Sequence, residues 1–174
     1  MKKLFCIFFL SCAAECHAAS LCGPKEETIF SCHTKSESVS VCAQKNGSYV
    51  HYVFGTPRRI SLNFPPKEQY QEGSFRGYYA YGPGFQSYLS FTDGPSRYYV
   101  YSNYGDNAFS TSGEKMAVAF DESGVVVLNG LNKVANIKCH AQSPRLTEAT
   151  FKRYRFPADE ASKFQEAFFN TWSN

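Results

Sequence analysis

The sequence predicts a mainly β fold, an antiparallel sandwich or partly closed barrel of about 8 to 10 strands with one or two C-terminal helices. Three observations lead there. Short segments rich in Val, Ile, Tyr, Phe and Thr recur along the chain, Gly, Pro, Asn and Asp separate them at close spacing, and one segment alternates side chains with period two.

The chain has 174 residues and opens as an export signal does. Met1, Lys2 and Lys3 precede an apolar stretch from Leu4 to Ala14, then small residues through Ala18 and Ala19. The stretch is too short to span a bilayer, and cleavage is expected after Ala18. The segment Phe9-Leu10-Ser11-Cys12 faintly follows a lipoprotein processing site, with Phe in place of the aliphatic residue. Residues 1–18 are therefore read as a signal peptide and 19–174 as a single β domain, of a length that suits one core.

Cleavage removes Lys2, Lys3 and Glu15 from a chain of formal net charge +3. The remaining balance is too small to steer nucleic acid or an anionic surface. Outside the signal no apolar run approaches the length of a membrane span, so no stable membrane insertion is expected. Cys6, Cys12 and Cys16 leave with the signal, whereas Cys22, Cys32, Cys42 and Cys139 remain. An even set in an exported chain reads as a pair of disulfides, with every pairing open. A bridge from Cys139 to any N-terminal cysteine would tie the last strand to the first and remove the most loop entropy from the unfolded chain.

Strands are predicted over 27–33, 38–43, 48–54, 59–63, 74–81, 84–92, 96–103, 114–120, 125–128 and 133–139. Between them lie Asn46-Gly47, Phe64-Pro65-Pro66, Gly82-Pro83-Gly84, Asp93-Gly94-Pro95 and Ser123-Gly124, which supply the backbone angles of turns. In 84–92, Phe85, Ser87, Leu89 and Phe91 alternate with Gln86, Tyr88, Ser90 and Thr92, which predicts one buried and one wet face. In Tyr98-Tyr99-Val100-Tyr101 both faces are large, as in a doubly covered central strand or an exposed aromatic surface.

Beyond Cys139 the pattern turns helical, over 143–170. Ser143-Pro144 has the form of an N-cap with proline at the first helical position, opening a helix to about Tyr154. A second helix is expected after Pro157, where Ala161, Phe164, Ala167 and Phe168 form one apolar stripe that would dock on the sheet.

Catalytic signatures are missing. There is no Gly-x-Ser-x-Gly elbow, no His-Glu-x-x-His and no phosphate loop. Asp93, Asp106, Asp121 and Asp159 each sit where a turn or cap would use them, without the paired placement glycoside hydrolysis needs. His33 and His140 follow Cys32 and Cys139 directly, but strand neighbours point to opposite faces, and cysteines in an oxidising compartment favour disulfides over zinc. His51 is read as a half-exposed sheet residue and is the first suspect if a site is assembled from distant residues. The basic clusters Arg58-Arg59 and Lys152-Arg153-Tyr154-Arg155 are read as a solvated rim or the cationic side of an interface. The expectation is a protein that is not an enzyme, with no cofactor, no metal and no nucleic-acid partner.

The segment 103–113 offers more. It separates two strong strands by more residues than a tight hairpin requires, and loops displayed on rigid sheets are where binding tends to sit. Asn103, Tyr104, Asp106, Asn107, Ser110, Thr111 and Ser112 are its candidate partner-binding residues. Such a loop can enter an enzyme cleft without being cut if its scaffold holds it rigid.

The runs Glu27-Thr28-Ile29-Phe30-Ser31-Cys32, Val39-Ser40-Val41-Cys42-Ala43, Tyr49 through Gly55, and Val134-Ala135-Asn136-Ile137-Lys138-Cys139 resemble a family of small exported β proteins of Gram-negative bacteria. Similar periplasmic β proteins include lysozyme inhibitors and the immunity proteins that neutralise peptidoglycan amidases delivered by type VI secretion. The lysozyme inhibitors carry a Ser-Gly-x-x-x-Tyr-like loop. Here Ser112-Gly113 is followed by Glu114, Lys115, Met116 and Ala117, which places the amidase-immunity reading ahead. The resemblance implies a periplasmic protein that binds and blocks a cell-wall hydrolase by inserting the 103–113 loop. The rival is a structural or envelope-associated protein for which that loop is a connection.

Overall fold

The computed structural model describes residues 20–81, 84–105, 108–109, 115–116, 120–142 and 144–160. The export signal expected over residues 1–18, and the apolar stripe of Ala161, Phe164, Ala167 and Phe168, lie outside them.

Two antiparallel five-stranded sheets make up the fold. The first is built from β1 (Glu26–His33), β2 (Ser38–Gln44), β3 (Val50–Thr56) and β4 (Arg59–Phe64) in sequence order. After a turn of 3₁₀ helix at Lys67–Gln69 the chain crosses to the second sheet. There β5 (Arg76–Tyr81), β6 (Gly84–Asp93), β7 (Ser96–Gly105), β10 (Phe120–Asn129) and β11 (Asn132–Lys138) again lie in order. Between β7 and β10 the chain makes β8 (Ala108–Phe109) and β9 (Lys115–Met116). Finally β12 (Ala141–Gln142) returns to the first sheet and pairs with β1 through Cys32↔Gln142 and His33↔Ala141. The ladders do not join into a barrel, so the architecture is the sandwich form of the expectation, followed by a helix. No helix among the described residues is long and apolar enough to cross a membrane.

Alternation places the core. Phe30, Cys32, Val39, Val41, Val50 and Tyr52 of the first sheet meet Leu89, Phe91, Val100, Val125 and Val127 of the second. Stacking continues through the middle, with Phe91 parallel to Tyr98 at 4.7 Å and to Phe64 at 4.6 Å. The β6–β7 hairpin closes through Gly94, whose φ of 57° suits the first central position of a two-residue turn.

The far face of the second sheet is buried as well. Tyr88, Tyr99, Tyr101, Val126 and Leu128 form a second cluster there, with Tyr78 against it. The wet face expected for Tyr88 and Ser90 is thus corrected: each is 1% exposed. The reason lies far along the chain. Residues 156–160 run beside β5 as a strap, with Gly77 and Ala158 bridged in parallel. Asp159 of this strap accepts a hydrogen bond from the Ser90 hydroxyl at 2.5 Å and is ion-paired with Arg97 at 2.6 Å. For Tyr99 and Tyr101 the doubly covered central strand is the observed alternative, since β7 is the middle strand of its sheet and both are buried.

One further expectation is corrected after Cys139, while the second helix expected around residues 161–168 lies outside the described residues. The helix α1 spans Glu148–Tyr154, and its N-cap is Thr147 rather than Ser143. Thr147 and Thr150 exchange side-chain and backbone hydrogen bonds in a reciprocal cap. The helix cannot start at Pro144, because the Pro144 carbonyl accepts from Ser31 N–H and Leu146 is driven fully into the core. After Pro157 the chain is extended through Glu160, held to β5 by Gly77 N–H to Pro157 O and Asp159 N–H to Gly77 O. The strand expected over 114–120 is represented by β9 and the start of β10.

Disulfides join Cys22 to Cys42 and Cys32 to Cys139. The second links the core face of β1 to the residue that directly follows β11, and so ties the two sheets together.

Candidate functional site

Of the segment 103–113, residues 103–105 belong to β7 and Ala108–Phe109 form β8 among the described residues. β7 continues to Gly105 and β10 begins at Phe120, paired directly with Gly105. What lies between contains the β8–β9 hairpin, with Ala108↔Met116 and Phe109↔Lys115 in register. This ladder belongs to neither main sheet. In sequence it lies between β7 and β10, which run alongside each other over ten residue pairs.

The candidate residues divide at this base. Asn103 is buried, and its amide oxygen accepts from the Ser87 N–H at 3.3 Å, so it holds β6 to β7. It therefore sits within the sheet, as the last residue of the strand expected over 96–103, and β7 continues two residues beyond it. Tyr104 is half-buried; its ring lies 5.3 Å from Phe85, with the Arg145 guanidinium 5.2 Å from its centroid. Asp106, Asn107, Ser110, Thr111 and Ser112 lie outside the described residues.

An aromatic cluster forms across β5, β6 and β7 around Phe85. Tyr81, 68% exposed, packs edge-on against Phe85, and Tyr79 stacks on the same ring. The Tyr81 hydroxyl donates to Glu148 at 2.5 Å, and that bond pushes its pKa up to about 12. Glu148 is held below its ordinary range, first by Lys152 and then by Tyr81. The basic run is likewise engaged, Lys152 with Glu148 at 2.6 Å and Arg153 with Glu27 at 2.7 Å. Arg145 pairs with Asp121, which also accepts from Gln142. A hollow of about 250 Å³ beside this cluster is lined by Gly77, Tyr79, Phe151, Lys152, Phe156 and Asp159.

Ionisable groups also converge on the outer face of the first sheet. His51 Nδ1 lies 2.8 Å from Asn63 Oδ1, and its Nε2 lies 3.0 Å from Glu26 Oε1. Glu26 Oε2 accepts from Gly23 N–H at 2.7 Å, and Tyr49 stacks on the imidazole at 4.8 Å. His51 is buried rather than half-exposed. It faces Cys42 across the β2–β3 ladder, but that sulfur is in a disulfide and is no nucleophile. Glu26 and Asn63 were invisible to motif reading. They meet His51 only through the register of four strands, and the signal that could have found them is the shared face of 42 and 51 in paired strands. His33 takes an ordinary role, facing the Ser38 hydroxyl at 3.3 Å, while Cys32 and Cys139 are bonded to each other.

Comparison with protein-family models, with curated proteins and with solved structures finds no match to this chain.

Proposed function

We propose that the chain is a periplasmic inhibitor of a peptidoglycan hydrolase, an immunity protein against an amidase, that acts by presenting the tip of the β8–β9 hairpin to the enzyme's active site. The observation that carries this reading is the separation of the β8–β9 ladder from both main sheets, inserted in sequence between two strands, β7 and β10, that pair with each other. A binding element inserted between paired strands of a sheet starts from a fixed position, which lessens the order lost on association. The pair of disulfides favours an oxidising compartment. The hydrolase class comes from the resemblance in β1, β2, β3 and β11, all of them scaffold strands. The exposed Tyr81 and half-buried Tyr104 are suited to anchor the partner around the inserted tip. Within this reading the protein performs no chemistry of its own.

The test is inhibition of purified amidases and lysozymes acting on peptidoglycan, by mature protein and by a variant with Ser110, Thr111 and Ser112 replaced by bulky residues. Inhibition by the first and its loss in the second support the proposal. Inhibition of no hydrolase removes it and leaves the envelope-associated role.

A further inference from the structure

We propose that the Cys22–Cys42 disulfide closes a zinc site, and that on reduction Cys22, Cys42, His51 and Glu26 bind one zinc ion. The ligand atoms of Glu26, Cys42 and His51 already lie within 4.8 Å of one another. A tetrahedral zinc ion with bonds of about 2.0 to 2.3 Å sets its ligands roughly 3.3 to 3.8 Å apart, so small side-chain shifts close the set. Cys22 supplies the fourth ligand, being bonded to Cys42 in the oxidised protein. It sits on the short segment ahead of β1, held by Leu21 N–H to the Ser40 hydroxyl and by Ser20 to Thr28. That segment can shift by the ångström or two that parting the sulfurs requires.

The surroundings are those of a metal-binding histidine. Asn63 Oδ1 lies 2.8 Å from Nδ1 and orients the ring so that Nε2 faces the Glu26 carboxylate 3.0 Å away. A zinc ion entering between them takes the place of the proton that this contact shares. The second Glu26 oxygen is oriented by Gly23 N–H, and Tyr49 covers the imidazole. Zinc suits this mixed sulfur, nitrogen and oxygen set better than calcium or magnesium, which favour oxygen alone.

The chemistry balances. A dithiol reductant gives two electrons and two protons to the Cys22–Cys42 bond and becomes a disulfide itself. The two thiols then lose their protons as the sulfurs bind zinc. An oxidant of thiols reverses the step and releases the metal.

Cys22→Ser tests the core of the site without any reductant, since it frees Cys42 and leaves Cys32–Cys139 intact. Titration with zinc against a chromophoric chelator is expected to show one ion per chain. Adding His51→Ala is expected to weaken binding by at least about tenfold, and the oxidised wild type is expected to bind far more weakly than Cys22→Ser. Absence of zinc binding by Cys22→Ser, or binding indifferent to His51→Ala, overturns the proposal. Should Cys22→Ser not fold, the same question is put to wild type reduced by a dithiol, reading alkylation of the half-exposed Cys22 by peptide mass spectrometry. Zinc is expected to slow it severalfold; an unchanged rate overturns the site.

Discussion

Cys32, in the first strand of one sheet, is bonded to Cys139, at the end of the last strand of the other, across a sequence separation of 107. The Cys22–Cys42 bridge spans only 20. The two therefore constrain the unfolded chain very unequally. Replacing Cys32 and Cys139 by Ser is expected to cost about 4 to 5 kcal/mol, and replacing Cys22 and Cys42 about 3 kcal/mol. Urea unfolding of the two double variants gives the comparison, and an equal loss from both counts against the closure argument.

The C-terminal strap depends on one carboxylate. Asp159 is 3% exposed at its side chain and is shared by the Ser90 hydroxyl and Arg97. Asp159→Ala strands both partners and is expected to cost about 3 kcal/mol. Limited proteolysis is expected to cut the variant first in the strap near residues 156–160. A variant as stable and as resistant as the wild type would show that Asp159 does not hold the strap.

Gly124 lies where β10 passes over Tyr101. A Cβ there would come 2.3 Å from the Ile137 carbonyl oxygen and 2.9 Å from the Tyr101 hydroxyl. The first clash is with backbone, so no rotamer relieves it. Gly124→Ala is expected to cost on the order of 3 kcal/mol, read as a drop in unfolding midpoint.

Burial raises the hydroxyl pKa of Tyr52, Tyr88 and Tyr99, and takes that of Tyr101 to about 12, against an ordinary value of 10.0. The unfolded chain therefore loses these protons first. The stability they contribute is whole below pH 10 and declines as pH rises through 12. Tyrosinate absorbance is expected to rise together with loss of β structure by circular dichroism in that range. Ionisation of all tyrosines near pH 10 with the fold intact would contradict it.

The strands were legible because turn residues punctuate them and because Phe85, Leu89 and Phe91 alternate cleanly. Their outer neighbours Tyr88 and Ser90 were misread as wet, since Asp159, which covers Ser90, lies 69 residues away. The helix start was placed at Ser143-Pro144 on local chemistry, whereas Leu146 had first to reach the core and Thr147 took the cap. For the disulfides the cysteine count was readable and the pairing was not, because pairing follows from sheet order. Within the candidate site Asn103 stood at the junction of the strand expected over 96–103 and the segment 103–113, and its amide completes a hydrogen bond inside the sheet. The His51, Glu26 and Asn63 cluster has no spacing to reveal it and exists only once β1 to β4 are in register.

In the proposed function, the segment between Gly105 and Phe120 is the part of this molecule that blocks a cell-wall enzyme. The most direct measurement is the inhibition constant of the mature protein against peptidoglycan amidases, taken beside a variant in which residues 108–116 are replaced by a two-residue Asn-Gly turn. Tight inhibition that weakens by a factor on the order of 100 or more in the short variant, about 2.7 kcal/mol, is the expected result. Equal inhibition by both proteins, with the sandwich intact in each, would contradict it.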